Sequence, residues 1–139
     1  MQRCRLLAVL LVSVILAIPM AASAGNPTVL SLQVVVDGGA SYNVKPAQPI
    51  PVKPKTTYTL TLTATVVDAT GKVSKGVPID ATFDVNVGRD RVTLSNATAN
   101  GVDVTVSAVG PHGDQLKYTA DAAGYSIKPG LATGYINLD

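Results

Sequence analysis

The stretch that decides the fold is Thr57-Tyr58-Thr59-Leu60-Thr61-Leu62-Thr63-Ala64-Thr65-Val66. Tyr58, Leu60, Leu62, Ala64 and Val66 fall on one face of an extended chain. Thr57, Thr59, Thr61, Thr63 and Thr65 fall on the other. Successive side chains of a strand point to opposite faces, so this is a half-buried β-strand with a hydroxyl face turned to water.

The same period of two recurs on both sides of it. Val77, Ile79, Ala81, Phe83, Val85 and Val87 alternate with Pro78, Asp80, Thr82, Asp84 and Asn86. Val92 and Leu94 form a short strand, and Val102, Val104, Val106 and Ala108 alternate with Asp103, Thr105 and Ser107. Leu116, Tyr118 and Ala120 alternate with Lys117, Thr119 and Asp121. A first strand over residues 28–36 and a last one over 131–138 bring the expectation to about seven. Turn chemistry separates them: Asp68-Ala69-Thr70-Gly71, Asn100-Gly101, Pro111-His112-Gly113-Asp114 and Lys128-Pro129-Gly130. Asp68 is placed to accept a backbone N–H two residues on, Gly71 to take a positive φ, and Gly76 to mark a bulge. Abundant Val and Thr suit strands. The pattern predicts an all-β fold, an antiparallel β-sandwich.

Residues 45–55, Lys45-Pro46-Ala47-Gln48-Pro49-Ile50-Pro51-Val52-Lys53-Pro54-Lys55, break the pattern. Their four prolines favour polyproline II and remove backbone donors. The segment reads as a kinked edge strand or a crossover between sheets, or else as a spacer that lets residues 28–44 leave the body of the domain.

The order of features between Tyr58 and Tyr125 resembles bacterial Ig-like domains of the Big-1, invasin/intimin-like type. The Thr/Leu strand ends at Asp68-Ala69-Thr70-Gly71-Lys72, followed by Val73 and Gly76-Val77-Pro78-Ile79. Gly88, Val92-Thr93-Leu94-Ser95 and Asn100-Gly101-Val102-Asp103-Val104-Thr105-Val106-Ser107 come next, and Tyr118-Thr119-Ala120 stands where the family closes. Val73-Ser74 replaces the family's usual Pro-Val. The resemblance implies an Ig-like sandwich with a structural or adhesive role.

Residues 1–24 read as a helical secretory signal peptide. Arg3 and Arg5 precede an apolar run from Leu6 to Ile18, Pro19 breaks it, and Ala22-Ser23-Ala24 supplies small residues for cleavage. Thirteen helical residues span about 20 Å, short of the ~30 Å hydrocarbon core, so no membrane span is expected after cleavage. Cys4 precedes the apolar run and does not fit a lipidation site. Removing residues 1–24 from a chain of 139 leaves 115, residues 25–139, expected to form one domain. That part has no cysteine, so an exported domain would hold together by packing alone. It carries nine Lys/Arg against nine Asp and no Glu. With no net charge there is no electrostatic case for nucleic acid.

Chemistry has few materials. His112 is the one histidine and sits in a turn sequence, without a Gly-x-Ser-x-Gly elbow for a Ser-His-Asp site or companions for zinc. No catalytic residue, metal site or cofactor is expected, and the chain does not read as an enzyme. Asp84, Asn86 and Asp90 have the alternating oxygens of a calcium loop, yet Val85 and Val87 continue an inward strand face and Arg89 stands where such a loop needs glycine. Asn96-Ala97-Thr98 fits the N-glycosylation sequon, a motif of little weight in a bacterial host. Tyr42, Tyr125 and Tyr135 would suit a sugar-stacking platform, while Tyr58 and Tyr118 read as core edges.

The sequence therefore points to an exported, non-enzymatic module at the cell surface, in the periplasm or in the medium. Its expected partners are a protein or further copies of itself, with a glycan as another candidate. Residues 28–36, which carry no charge, would suit a fibre or pilus built by strand exchange. A carbohydrate-binding accessory module is the remaining alternative.

Overall fold

The computed structural model describes residues 25–110 and 113–139. The signal-peptide reading of residues 1–24 and the turn position of His112 lie outside the described residues. Among the described residues nine strands form two antiparallel sheets: β1 (Thr28–Val36), β2 (Ser41–Asn43), β3 (Thr56–Val67), β4 (Val73–Pro78), β5 (Asp80–Val87), β6 (Val92–Ser95), β7 (Gly101–Val106), β8 (Asp114–Asp121) and β9 (Thr133–Leu138). Among the described residues one helical turn, α1 (Pro129–Ala132), precedes β9. It is too short to leave a helical periodicity in the sequence.

The first sheet runs β2-β1-β3-β7-β6, with β4 also paired to β3; the second runs β5-β8-β9. β1, β3, β7 and β6 take the places of strands A, B, E and D of an immunoglobulin constant-type sandwich, and β5, β8 and β9 those of C, F and G. The fold is an all-β, Ig-like sandwich, as the alternation requires.

The facing sides of the sheets meet in one core. Leu32, Val34, Leu60, Leu62, Ala64 and Val104 come from the first sheet, and Leu116, Tyr118, Ile136 and Leu138 from the second. Each large aliphatic side chain buried this way contributes about 1.5–3 kcal/mol. The β3 threonines stay on the outer side, where Thr57 and Thr105 hydroxyls meet across strands at 2.7 Å. Tyr118 is no core edge but a fully buried centrepiece. Its ring lies where a Cβ on Gly134 would come within 2.8 Å, and its hydroxyl donates to the Leu131 carbonyl at 2.7 Å.

The departures from the alternation have local causes. β2 is a three-residue strand after the Asp37-Gly38-Gly39 turn, too short to show a period. The run from Val77 to Val87 is two strands: β4 pairs with β3, then the chain changes sheets at Ile79 and β5 pairs with β8. Asn86 is an extra residue at a bulge, since Val85 faces Leu116 but Val87 faces Gln115. Val87, expected inward, is therefore 46% exposed. Likewise β7 ends at Val106, leaving Ala108 exposed, and Leu131 lies in α1 rather than in the last strand.

The proline-rich stretch is a crossover. Val44 is buried beside the first sheet, and the chain then reaches β9, where Ile50 N–H donates to Asn137 and the Ile50 carbonyl accepts from Asp139. Val52 returns it to the core ahead of β3. The Asp68 turn forms as its residues dictate: Asp68 Oδ1 accepts from Thr70 N and Lys72 N, both at 2.9 Å, and Gly71 takes φ +88°. Gly76, at φ +69°, sits where β4 carries an extra residue against β3.

Candidate functional site

The three tyrosines of the expected platform are not brought together. Tyr42 packs against the core from β2, where it pairs with Val34. Tyr125 lines a small depression with Pro78, Ile79, Asp80 and Asp121. Tyr135 borders a different one with Val44, Lys45, Pro46 and Asn137. Tyr135 alone is strongly exposed, at 45%, on the outer face of β9 opposite Lys117. Beside it a row of amides crosses the second sheet: Asn86 Nδ2 donates to Gln115 Oε1 at 2.6 Å, and Gln115 Nε2 donates to Asn137 Oδ1 at 2.9 Å.

Asp84, Asn86 and Asp90 are each engaged elsewhere. Asp84 Oδ1 accepts its neighbour's Val85 N–H at 2.9 Å, on the strand that forms one edge of the second sheet. Asp84 Oδ2 lies 3.9 Å from Arg89, Asn86 belongs to the amide row, and Asp90 contacts Arg91 at 3.3 Å. Among the described residues no three His, Cys, Asp or Glu side chains are grouped to hold a metal ion.

The most developed polar arrangement went unread in the sequence. Asp114, at the start of β8, is 4% exposed and receives Arg91 Nη2 at 2.5 Å and Nε at 3.1 Å on Oδ1. Arg91 immediately precedes β6, so the pair joins the two sheets at one pole. The hydrogen bond to Asp114 raises the guanidinium pKa above its ordinary value. Glycines flank both partners. A Cβ at Gly88 would lie 2.3 Å from Asp114 Oδ1, and one at Gly110 would lie 2.7 Å from Arg91 Nη2. The paired glycines were the only sequence signal. Among the described residues Asp114 Oδ2 is buried without a hydrogen-bond partner, which marks the arrangement as a structural link held at some cost.

A groove of about 390 Å³ lies where the β5 and β6 edges approach on one side of the sandwich. Phe83, Leu94, Ala81 and Val102 make its apolar floor, and Asn96, Ala97 and Thr98 form part of its wall. The loop after β6 is fastened across it, Ala81 N–H donating to Ala99 O and Thr98 N–H to Gly101 O, both at 2.9 Å. The opposite edge, at β9, is covered in part by Ile50.

Residues 28–36 are paired within their own chain, from Thr28 with Val67 to Val36 with Leu60, and they bury Val29, Leu32 and Val34. The strands and their connections define an all-β sandwich with immunoglobulin strand order. No protein-family model, no curated protein and no solved structure matches the chain.

Proposed function

We propose that the chain is an exported, non-enzymatic Ig-like module with a structural or adhesive role at the cell surface or in the periplasm. The resemblance to Big-1 domains and the signal-peptide reading carry the location. The observation that carries the role is the placement of the first and last strands. Thr28 pairs with Val67 at one end of β3, and Thr56, at the other end, pairs with Val106. Val106 also pairs with Val92, beside the Arg91–Asp114 link, and Asp114 pairs with Leu138. The first strand thus starts at one pole and the last finishes at the other. A pull between them runs along the strands and loads the β1–β3 ladder in shear, so its hydrogen bonds resist together.

Two measurements test the reading. Protease shaving of intact cells should remove the protein if it is surface-held, or osmotic shock should release it if it is periplasmic, and cells lacking it should lose adherence or envelope integrity. Recovery of the protein solely from the cytoplasm would overturn it. Fibre formation by exchange of residues 28–36 is a second reading. The neutral β1 strand lies at the amino-terminal side of the Asp37-Gly38-Gly39 turn, and an identical strand from another copy would supply the same Val29, Leu32 and Val34 contacts.

A further inference from the structure

The depression beside Tyr135 has a fastened wall and an ordered floor. Its wall is the turn at residues 44–47, where the chain leaves β2. Three ties hold that turn. Gln48 Oε1 accepts from Asn43 N at 2.7 Å, Gln48 N donates to Asn43 O at 2.9 Å, and Lys45 Nζ donates to the Gly130 carbonyl at 2.6 Å. Pro46 and Ala47 give the wall an apolar surface, and Tyr135 stands beside them, 45% exposed. The floor is the β9 end of the amide row, Gln115 and Asn137. Asn86 donates to Gln115 and Gln115 donates to Asn137, so the row has a direction. Among the described residues Asn137 Nδ2 donates to nothing and keeps both hydrogens, and Gln115 Nε2 keeps one.

The lining selects among ligands. Among the described residues no carboxylate borders the depression, so a metal ion meets no anionic ligand there. Its cation, Lys45, is engaged with Gly130, and Lys117, across from Tyr135, is paired in register with Asp84 on its other side. An anion therefore meets no surplus positive charge. What remains suits a neutral ligand that carries hydroxyls on its rim and C–H groups on its face. We propose that this depression, about 340 Å³, binds a short stretch of neutral glycan. Tyr135 stacks on one sugar ring, and Asn137 and Gln115 hydrogen-bond its hydroxyls. The inference rests on the adhesive reading and names its ligand class. The wall and the amides are held before the ligand arrives, so binding orders few side chains. A volume in the lower part of the ~300–1,000 Å³ range of ligand sites fits part of a sugar chain.

Affinity gel electrophoresis of the protein recovered from its own cells tests this, with hydroxyethyl cellulose, xylan, mannan and arabinogalactan as probes. At least one of them should retard the protein, and added salt should leave the retardation in place, since no ion pair carries it. Tyr135→Ala and Asn137→Ala should each weaken it about tenfold or more, with an unchanged thermal unfolding curve. Thr98→Ala, in the wall of the groove between β5 and β6, should bind as the unaltered protein does. Retardation that persists in Tyr135→Ala would overturn the proposal. So would retardation confined to a charged polysaccharide, polygalacturonate, and abolished by salt. Protein released from the envelope that none of the four neutral polysaccharides retards would overturn the glycan site and leave the export reading standing. Retarded protein that is confined to the cytoplasm would support the site and overturn the export reading.

Discussion

Val104 and Asp103 are neighbours on β7 with opposite surroundings. Val104 is 1% exposed between the sheets, while Asp103 lies on the outer face and accepts from Asn96 Nδ2 and from Thr59 Oγ1 at 2.7 Å. Val104→Asp places an unpaired carboxylate in the core and should cost several kcal/mol, on the order of 3–5, in chemical denaturation. Asp103→Val loses only outer-face hydrogen bonds and should be nearly neutral for folding. The face of each residue was legible, because period two assigns it. The hydrogen bonds of Asp103 were not, because Thr59 and Asn96 reach it from other strands. Arg91 and Asp114 were less legible still: they lie twenty-three positions apart, and no motif or period in the sequence pairs them. Arg91→Met should destabilise the fold by stranding the buried Asp114, and adding Asp114→Leu should recover most of that loss. A double-mutant cycle measured by urea unfolding checks it. If the double variant is no more stable than Arg91→Met alone, the pair is not the link described here.

Among the elements, the long strands announced themselves and the short or interrupted ones did not. β3 buries Leu60, Leu62, Ala64 and Val66 in strict alternation, so its sequence states its face. A change of sheet at Ile79 leaves the chain extended, so β4 and β5 read as one strand. The bulge at Asn86 reverses a face without altering composition, so Val87 read as core. The proline-rich segment left two readings open because polyproline II serves crossovers and spacers alike. What decides between them is Ile50, at 1% exposure against β9. β1 carries the clearest prediction at this scale. Deleting residues 25–44 removes β1 and β2 and uncovers the buried face of β3, so the truncated chain should lose its cooperative unfolding transition. Adding a peptide of residues 28–36 should restore it if the strand is exchangeable between copies. A truncated chain that stays folded and monomeric without the peptide would show that β1 is dispensable.

For the whole molecule, stability rests on one packed interface between sheets, because the only cysteine, Cys4, precedes the described residues. Its pH limits follow from groups on both faces. Hydrogen bonds from Asn96 and then Thr59 lower the pKa of Asp103, and the Thr70 hydroxyl chiefly lowers that of Asp68. A carboxylate favoured in the folded state stabilises it above the unfolded pKa, near 4, and that contribution is lost as pH falls through the lowered value. Tyr118 acts at the other limit. Burial pushes its phenol up to about 12. The folded state keeps this proton after the unfolded chain has released it, so stability falls as pH rises from about 10 through the raised value. Tyr118→Phe, lacking the bond to Leu131, should be about 1 kcal/mol less stable at neutral pH, and its deficit should shrink as pH climbs through that range. A deficit unchanged up to the alkaline limit would mean that Tyr118 is not buried as described.

The central claim is that β1, β3, β7 and β8 share one core and open together. Native-state amide hydrogen exchange tests it most directly. The slowest amides of all four strands should exchange through the same global opening, with one free energy matching that from denaturant unfolding. Amides of β1 that exchange orders of magnitude faster than those of β3, with β8 opening separately from both, would contradict it.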